Sequence, residues 1–94
     1  LLRAEEGALA ARAVTTGCEQ DRALGWQVSR TVGCSAGPAL PPDAVGHTGF
    51  TGVSVWLRPT SGDCYVLLGN RVHPGFRNAQ LPPLRRRFHA LAAR

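Results

Sequence analysis

The segment from Gly46 to Gly52 reads Gly-His-Thr-Gly-Phe-Thr-Gly and runs into Val53-Ser54-Val55-Trp56. An imidazole next to a hydroxyl, set among glycines three residues apart, is compatible with four chemistries. A phosphate loop of the Walker type needs a lysine after its last glycine. This chain has no lysine at all; its 11 basic residues are all arginine. A dinucleotide loop needs a strand before the glycines and a helix after them, and here a strand pattern follows. A metal centre needs clustered ligands. His47, His73 and His89 never fall at i, i+4, and no carboxylate cluster accompanies them. Two readings survive on the residues alone. Gly49 and Gly52 allow a bend or bulge between strand segments, or the segment forms a wall of an active site.

The rest of the composition narrows the partners. A net charge of +5 and a pI near 10.5 make nucleic acid a hypothesis to weigh. The arginines are dispersed except for Arg85–Arg86–Arg87, and aromatic residues make up 6% with no interleaved basic run. That pattern does not build a stacking platform. Cys18, Cys34 and Cys64 are odd in number and widely spaced, which fits neither a disulfide framework nor a zinc site. No apolar run reaches the roughly 20 residues that span a bilayer. Methionine is absent, position 1 included, so a processed or partial chain is expected. No signal segment is evident at the start.

These residues need elements to hold them. Residues 1–14 are rich in alanine and glutamate and predict a helix, with Gly17 as its stop. Residues 23–30 alternate with Leu24, Trp26 and Val28 on one face and predict a strand. Residues 31–43, with Pro38, Pro41 and Pro42, predict a loop. Residues 46–58 predict one strand segment, with Val53, Val55 and Leu57 alternating along it. Pro59 to Asp63 forms a turn. The apolar run Cys64–Leu68 predicts a strand, over about 63–70, buried on both faces. From Pro83, a helix over about 83–93 places Leu84, Phe88 and Leu91 on one stripe, with Leu81 a turn earlier and the arginine triplet on a solvated face. The expected fold class is α+β: an antiparallel sheet meander between an N-terminal and a C-terminal helix, as one domain.

The ordered series Leu24-Gly25-Trp26, Gly46-His47-Thr48-Gly49, Phe50-Thr51-Gly52, "VSVWLRP" and Asn70-Arg71-Val72-His73-Pro74 resembles the C-terminal part of serine hydrolases related to class C β-lactamases and penicillin-binding proteins. The resemblance covers nearly the whole chain. It implies a partial β-lactamase/transpeptidase-like domain in which His47-Thr48-Gly49 is the third active-site motif, the counterpart of Lys-Thr-Gly. In such enzymes a serine of a Ser-x-x-Lys motif attacks the acyl carbon. By position, His47 anchors substrate and Thr48 offers its hydroxyl to the substrate's polar end. Gly49 lets substrate lie close, and the Phe50 backbone N–H donates to the oxyanion.

Histidine in place of lysine is a departure. Lysine is cationic at pH 7, whereas histidine is mostly neutral there, so weaker carboxylate anchoring is expected. That favours the esterase-like and D-amino-acid-peptidase-like members. The nucleophile is missing from this chain. Its serines are Ser29, Ser35, Ser54 and Ser61, and three positions on stand Val32, Pro38, Leu57 and Cys64. Tyr65, the only tyrosine, sits in an apolar run and suits a core better than a proton relay. The expectation is a hydrolase fragment that is not competent alone and needs no cofactor. Its implied partners are a small-molecule or peptide substrate and the missing N-terminal part of the same domain. The alternative is a non-catalytic basic module for nucleic acid or an acidic partner. The compartment is not legible.

Overall fold

A computed structural model describes residues 2–75 and 80–94. The order is α1 (Ala4–Ala11), β1 (Gln27–Val28), β2 (Val45–Thr48), β3 (Ser54–Arg58), β4 (Asp63–Leu67) and α2 (Leu81–Ala92). The four strands form one antiparallel sheet in chain order, β1-β2-β3-β4. The α+β class with flanking helices is therefore as expected.

The register sorts the side chains. Gly46, Trp56 and Tyr65 lie side by side on one face, with Thr48 and Ser54 beside them. His47, Val55 and Val66 share the other. The first face is the core. Trp56 is fully buried among Cys34, Ala36, Leu40 and Ala44, with Tyr65 and Ala93 at its margin. Four of those partners come from the 31–44 loop, so the loop lines the core. It does so through successive turns, Cys34 N–H to Thr31 C=O and Gly37 N–H to Cys34 C=O, both 3.0 Å. Those turns satisfy the backbone that burial would otherwise orphan. Burying a tryptophan contributes several kcal/mol, which makes this cluster the main anchor of the fold. At the other end, Ala23, Val28 and Val45 form a smaller cluster on the opposite face, touched by Ala11 and Trp26. Helix α1 buries none of its residues. Its start is held locally, by the Glu6 carboxylate accepting from the Arg3 backbone N–H at 2.7 Å.

Four expectations need correction. The strand expected over 23–30 is only Gln27–Val28, because residues 23–26 close a turn, with Ala23 N–H donating to Trp26 C=O at 2.9 Å and Gly25 at φ +78°, which leaves Leu24 exposed. The 46–58 segment is two strands, not one. A turn at 49–53 separates β2 from β3, with Gly49 N–H donating to Val53 C=O at 2.9 Å and Gly52 N–H to Gly49 C=O at 3.2 Å. Gly52 takes φ +112°, and a Cβ there would meet Arg71 N at 3.1 Å, so glycine is required twice over. The alternation itself holds: within β3 Ser54 and Trp56 turn to the core, while Val55 and Leu57, like Val53 just before the strand, are half-buried. β4 is an edge strand rather than one buried on both faces; Val66 is 48% exposed. In α2 the stripe against the sheet is Leu81, Arg85 and His89. Leu84 and Leu91 are more than half exposed. Ser54 and Trp56 supply the reason: the core face of β3 offers an indole and a hydroxyl, and an imidazole fits both.

The cysteines are all free, Cys34 buried and the other two exposed. No helix among the described residues is long and apolar enough to cross a membrane.

Candidate functional site

Sequence singled out His47, Thr48, Gly49 and Phe50, and all four lie together at the end of β2 and the start of the turn into β3. Strand pairing delivers them there. Gly46 is fixed opposite Trp56, and a Cβ on it would meet Val55 O at 2.3 Å and the indole at 2.4 Å. Glycine at 46 lets the indole lie flat across β2, and that contact sets the register of the next residues.

His47 is exposed on the face away from α2, with Nδ1 placed 2.9 Å from the Thr48 carbonyl oxygen. Thr48 is half-buried on the core face opposite Ser54. The two side chains therefore leave the strand on opposite sides. Gly49 follows, and a methyl at that position would press on Val53 Cγ2 at 2.6 Å. Phe50 stands at the head of the turn, 67% exposed. Its backbone N–H makes no hydrogen bond among the described residues, while its neighbours Gly49 and Gly52 are bonded within the turn. Between Gly49 and Gly52, the Phe50 and Thr51 N–H groups thus have no acceptor among the described residues, and such donors are available to a further acceptor. A shallow groove of about 290 Å³ runs along the strands up to Gly49, the residue before Phe50, lined by His47, Thr48 and Gly49 with Ser54, and by Val53, Val55, Val66 and Leu68. The groove is apolar on one side and polar at the motif.

Two arginines frame the turn: Arg71, from the Asn70–Pro74 segment, and Arg85, expected on a solvated helix face and instead buried. Arg71 Nε donates to the Phe50 carbonyl. Its guanidinium carbon stands 4.4 Å from the centre of the Phe50 ring, and its backbone N–H donates to Thr51 C=O at 2.8 Å. Arg85 reaches from α2 to the Val53 carbonyl at 3.3 Å. Burial, then the like charge of Arg71, hold the Arg85 guanidinium below its ordinary pKa. With Arg85 under the sheet, only Arg86 and Arg87 of the triplet face solvent, and the triplet is not a continuous basic patch.

Behind the sheet lies a second pairing of a serine with a histidine. Ser54 Oγ and His89 Nε2 are 3.4 Å apart, and His89 is fully buried with Trp56, Tyr65 and Phe88 edge-on to its ring. Desolvation, then the charge of Arg85, hold the His89 pKa below its ordinary value. Its complete burial gives this pair a structural role. Tyr65 belongs to the same packing. No group of three or more metal-ligating side chains occurs among the described residues.

Comparison with known proteins finds no matching family model and no matching solved structure. Curated relatives do match. A "Putative D-alanyl-D-alanine carboxypeptidase" of Salmonella paratyphi B (strain ATCC BAA-1250 / SPB7) is 34% identical over 62 residues, and proteins with the same description from Salmonella newport (strain SL254) and Salmonella heidelberg (strain SL476) match equally. The match takes in 64% of this chain and spans 14% of the length of those relatives. The chain is thus similar, over most of its length, to a small part of proteins described as D-alanyl-D-alanine carboxypeptidases.

Proposed function

We propose that this chain is the third-motif portion of a serine hydrolase related to the class C β-lactamases and penicillin-binding proteins. Its work is one wall of an acyl-transfer cleft. The observation that carries the reading is the placement of His47-Thr48-Gly49 at a strand end, flanked by a groove and followed by a Phe50 N–H with no acceptor among the described residues. The similarity to part of the Salmonella proteins supports it.

In this reading the nucleophilic serine and its lysine belong to polypeptide other than these 94 residues, which contain no Ser-x-x-Lys. Attack on an ester, amide or lactam carbonyl places negative charge on its oxygen. The Phe50 N–H stabilises that charge, Thr48 holds the polar end of the substrate, and His47 contacts it along the strand. The substrate class favoured is an ester or a D-peptide, because His47 does not bring the fixed charge that lysine brings.

Hydrolysis of nitrocefin and of p-nitrophenyl esters by the full-length polypeptide tests this, with and without His47→Lys. Ester turnover exceeding lactam turnover is expected, with His47→Lys shifting the preference toward carboxylate-bearing substrates. Absence of both hydrolyses, together with a coding sequence lacking Ser-x-x-Lys ahead of His47, overturns the reading.

A further inference from the structure

We infer that Arg71 is the positioning residue of the oxyanion turn, clamping the main chain around Phe50 so that its N–H keeps one direction. The inference rests on the proposed role of Phe50, and it concerns a residue outside the motif. The peptide plane that carries the Phe50 N–H is held on its carbonyl side by Gly52 N–H donating to Gly49 C=O at 3.2 Å. The next plane is held by Arg71 Nε on the Phe50 carbonyl, and the one after it by the Arg71 backbone N–H on Thr51 C=O at 2.8 Å. The guanidinium also stacks over the Phe50 ring, 4.4 Å from its centre. One residue in the segment after β4 thus makes three contacts with two consecutive residues of the turn.

This arrangement has a cost that a merely surface arginine avoids. Arg71 has no carboxylate within ion-pair distance among the described residues, and its charge bears on the buried Arg85. A planar guanidinium is suited to the task, because it donates in its plane while its face lies on an aromatic ring. Lysine can supply the charge but not both contacts. Without the clamp, the exposed turn is free to rotate the Phe50 amide. A donor displaced by about 1 Å loses much of its effect on the transition state.

Two measurements on the full-length protein test this. In arginine-labelled NMR spectra, the Arg71 Nε–H should exchange with water more slowly than that of exposed Arg87, and its signal should be displaced from that of Arg87 by the carbonyl hydrogen bond and the Phe50 ring. An Arg71 signal matching that of Arg87 in both respects overturns the clamp without any variant having to fold. In kinetics, Arg71→Ala and Arg71→Lys should each lower kcat by roughly 10–100-fold with KM changed by less than about twofold. Full rescue by Arg71→Lys means that charge alone matters, and overturns the clamp. The two readings separate cleanly. Loss of activity in Phe50→Pro with Arg71→Ala at the wild-type rate removes only the clamp, whereas full activity in Phe50→Pro removes the oxyanion role on which it rests.

Discussion

Gly46 has no room for a side chain. A methyl would sit 2.4 Å from the Trp56 indole and 2.3 Å from the Val55 carbonyl oxygen, and neither a ring packed in the core nor a strand carbonyl can step aside. Gly46→Ala should destabilise the fold by about 1–3 kcal/mol or more, read as a lowered denaturant midpoint. A midpoint equal to that of the parent chain means the indole does not lie across β2. His89 makes the second residue-scale prediction. Its pKa is held down in the folded chain, first by burial and then by Arg85. Well above pH 6.5 the ring is neutral in both states and contributes nothing to pH dependence. Below pH 6.5 the unfolded chain takes up a proton that the folded chain refuses, so stability falls as the pH falls. Denaturant midpoints should decrease from pH 6.5 to 5, and His89→Gln should flatten that slope. An unchanged slope in the variant removes His89 as its source.

Helix α2 is the element on which sequence pattern and structure part most clearly. Leu84, Phe88 and Leu91 make the more apolar stripe, yet Leu81, Arg85 and His89 face the sheet. Polar residues win because the opposing surface is itself mixed: Ser54 meets His89, and the Val53 carbonyl meets Arg85. Leu84→Glu and Leu91→Glu should each change stability by under about 0.5 kcal/mol, while Leu81→Ala should cost about 2–5 kcal/mol; thermal unfolding of the three variants decides which face packs. The reverse ranking restores the leucine stripe. The same physics governs what else was legible. Alternation and turn chemistry located the β3–β4 hairpin, since Pro59 and Gly62 punctuate it and Gly62 has φ +78°. Gly49 and Gly52 allowed a bend between strand segments, and the structure has a turn there, but Val53 continues the alternation, so pattern alone did not end one strand and begin the next. The candidate motif was legible as a string of residue types. Arg71 was legible only as a member of the Asn70–Pro74 segment; its contact with Phe50 was not, since that comes from a chain reversal no periodicity shows.

The whole molecule carries more surface than its mass calls for. Its accessible area is 6358 Å², against about 5,200 Å² for a folded monomer of 10.0 kDa. The radius of gyration is 13.6 Å, against roughly 12.4 Å for a compact chain of this length. Part of the excess is the face bearing Val55, Val66 and Leu68, which no described element covers, and β4 leaves an open edge beside it. The isolated 94 residues should therefore be marginally stable and prone to associate. A sharp, concentration-independent unfolding transition contradicts that; Leu68→Lys, which charges the face, should raise solubility. The same face borders the motif, so a segment that covers it in the proposed full-length protein would also complete the groove. Everything proposed for that groove depends on the Phe50 N–H. The direct measurement is kcat of the full-length protein with Phe50→Pro, which deletes the N–H, beside Phe50→Ala, which keeps it. Phe50→Ala should stay within about tenfold of the parent, and Phe50→Pro should lose roughly 100–1,000-fold. Equal rates in the two variants contradict the account.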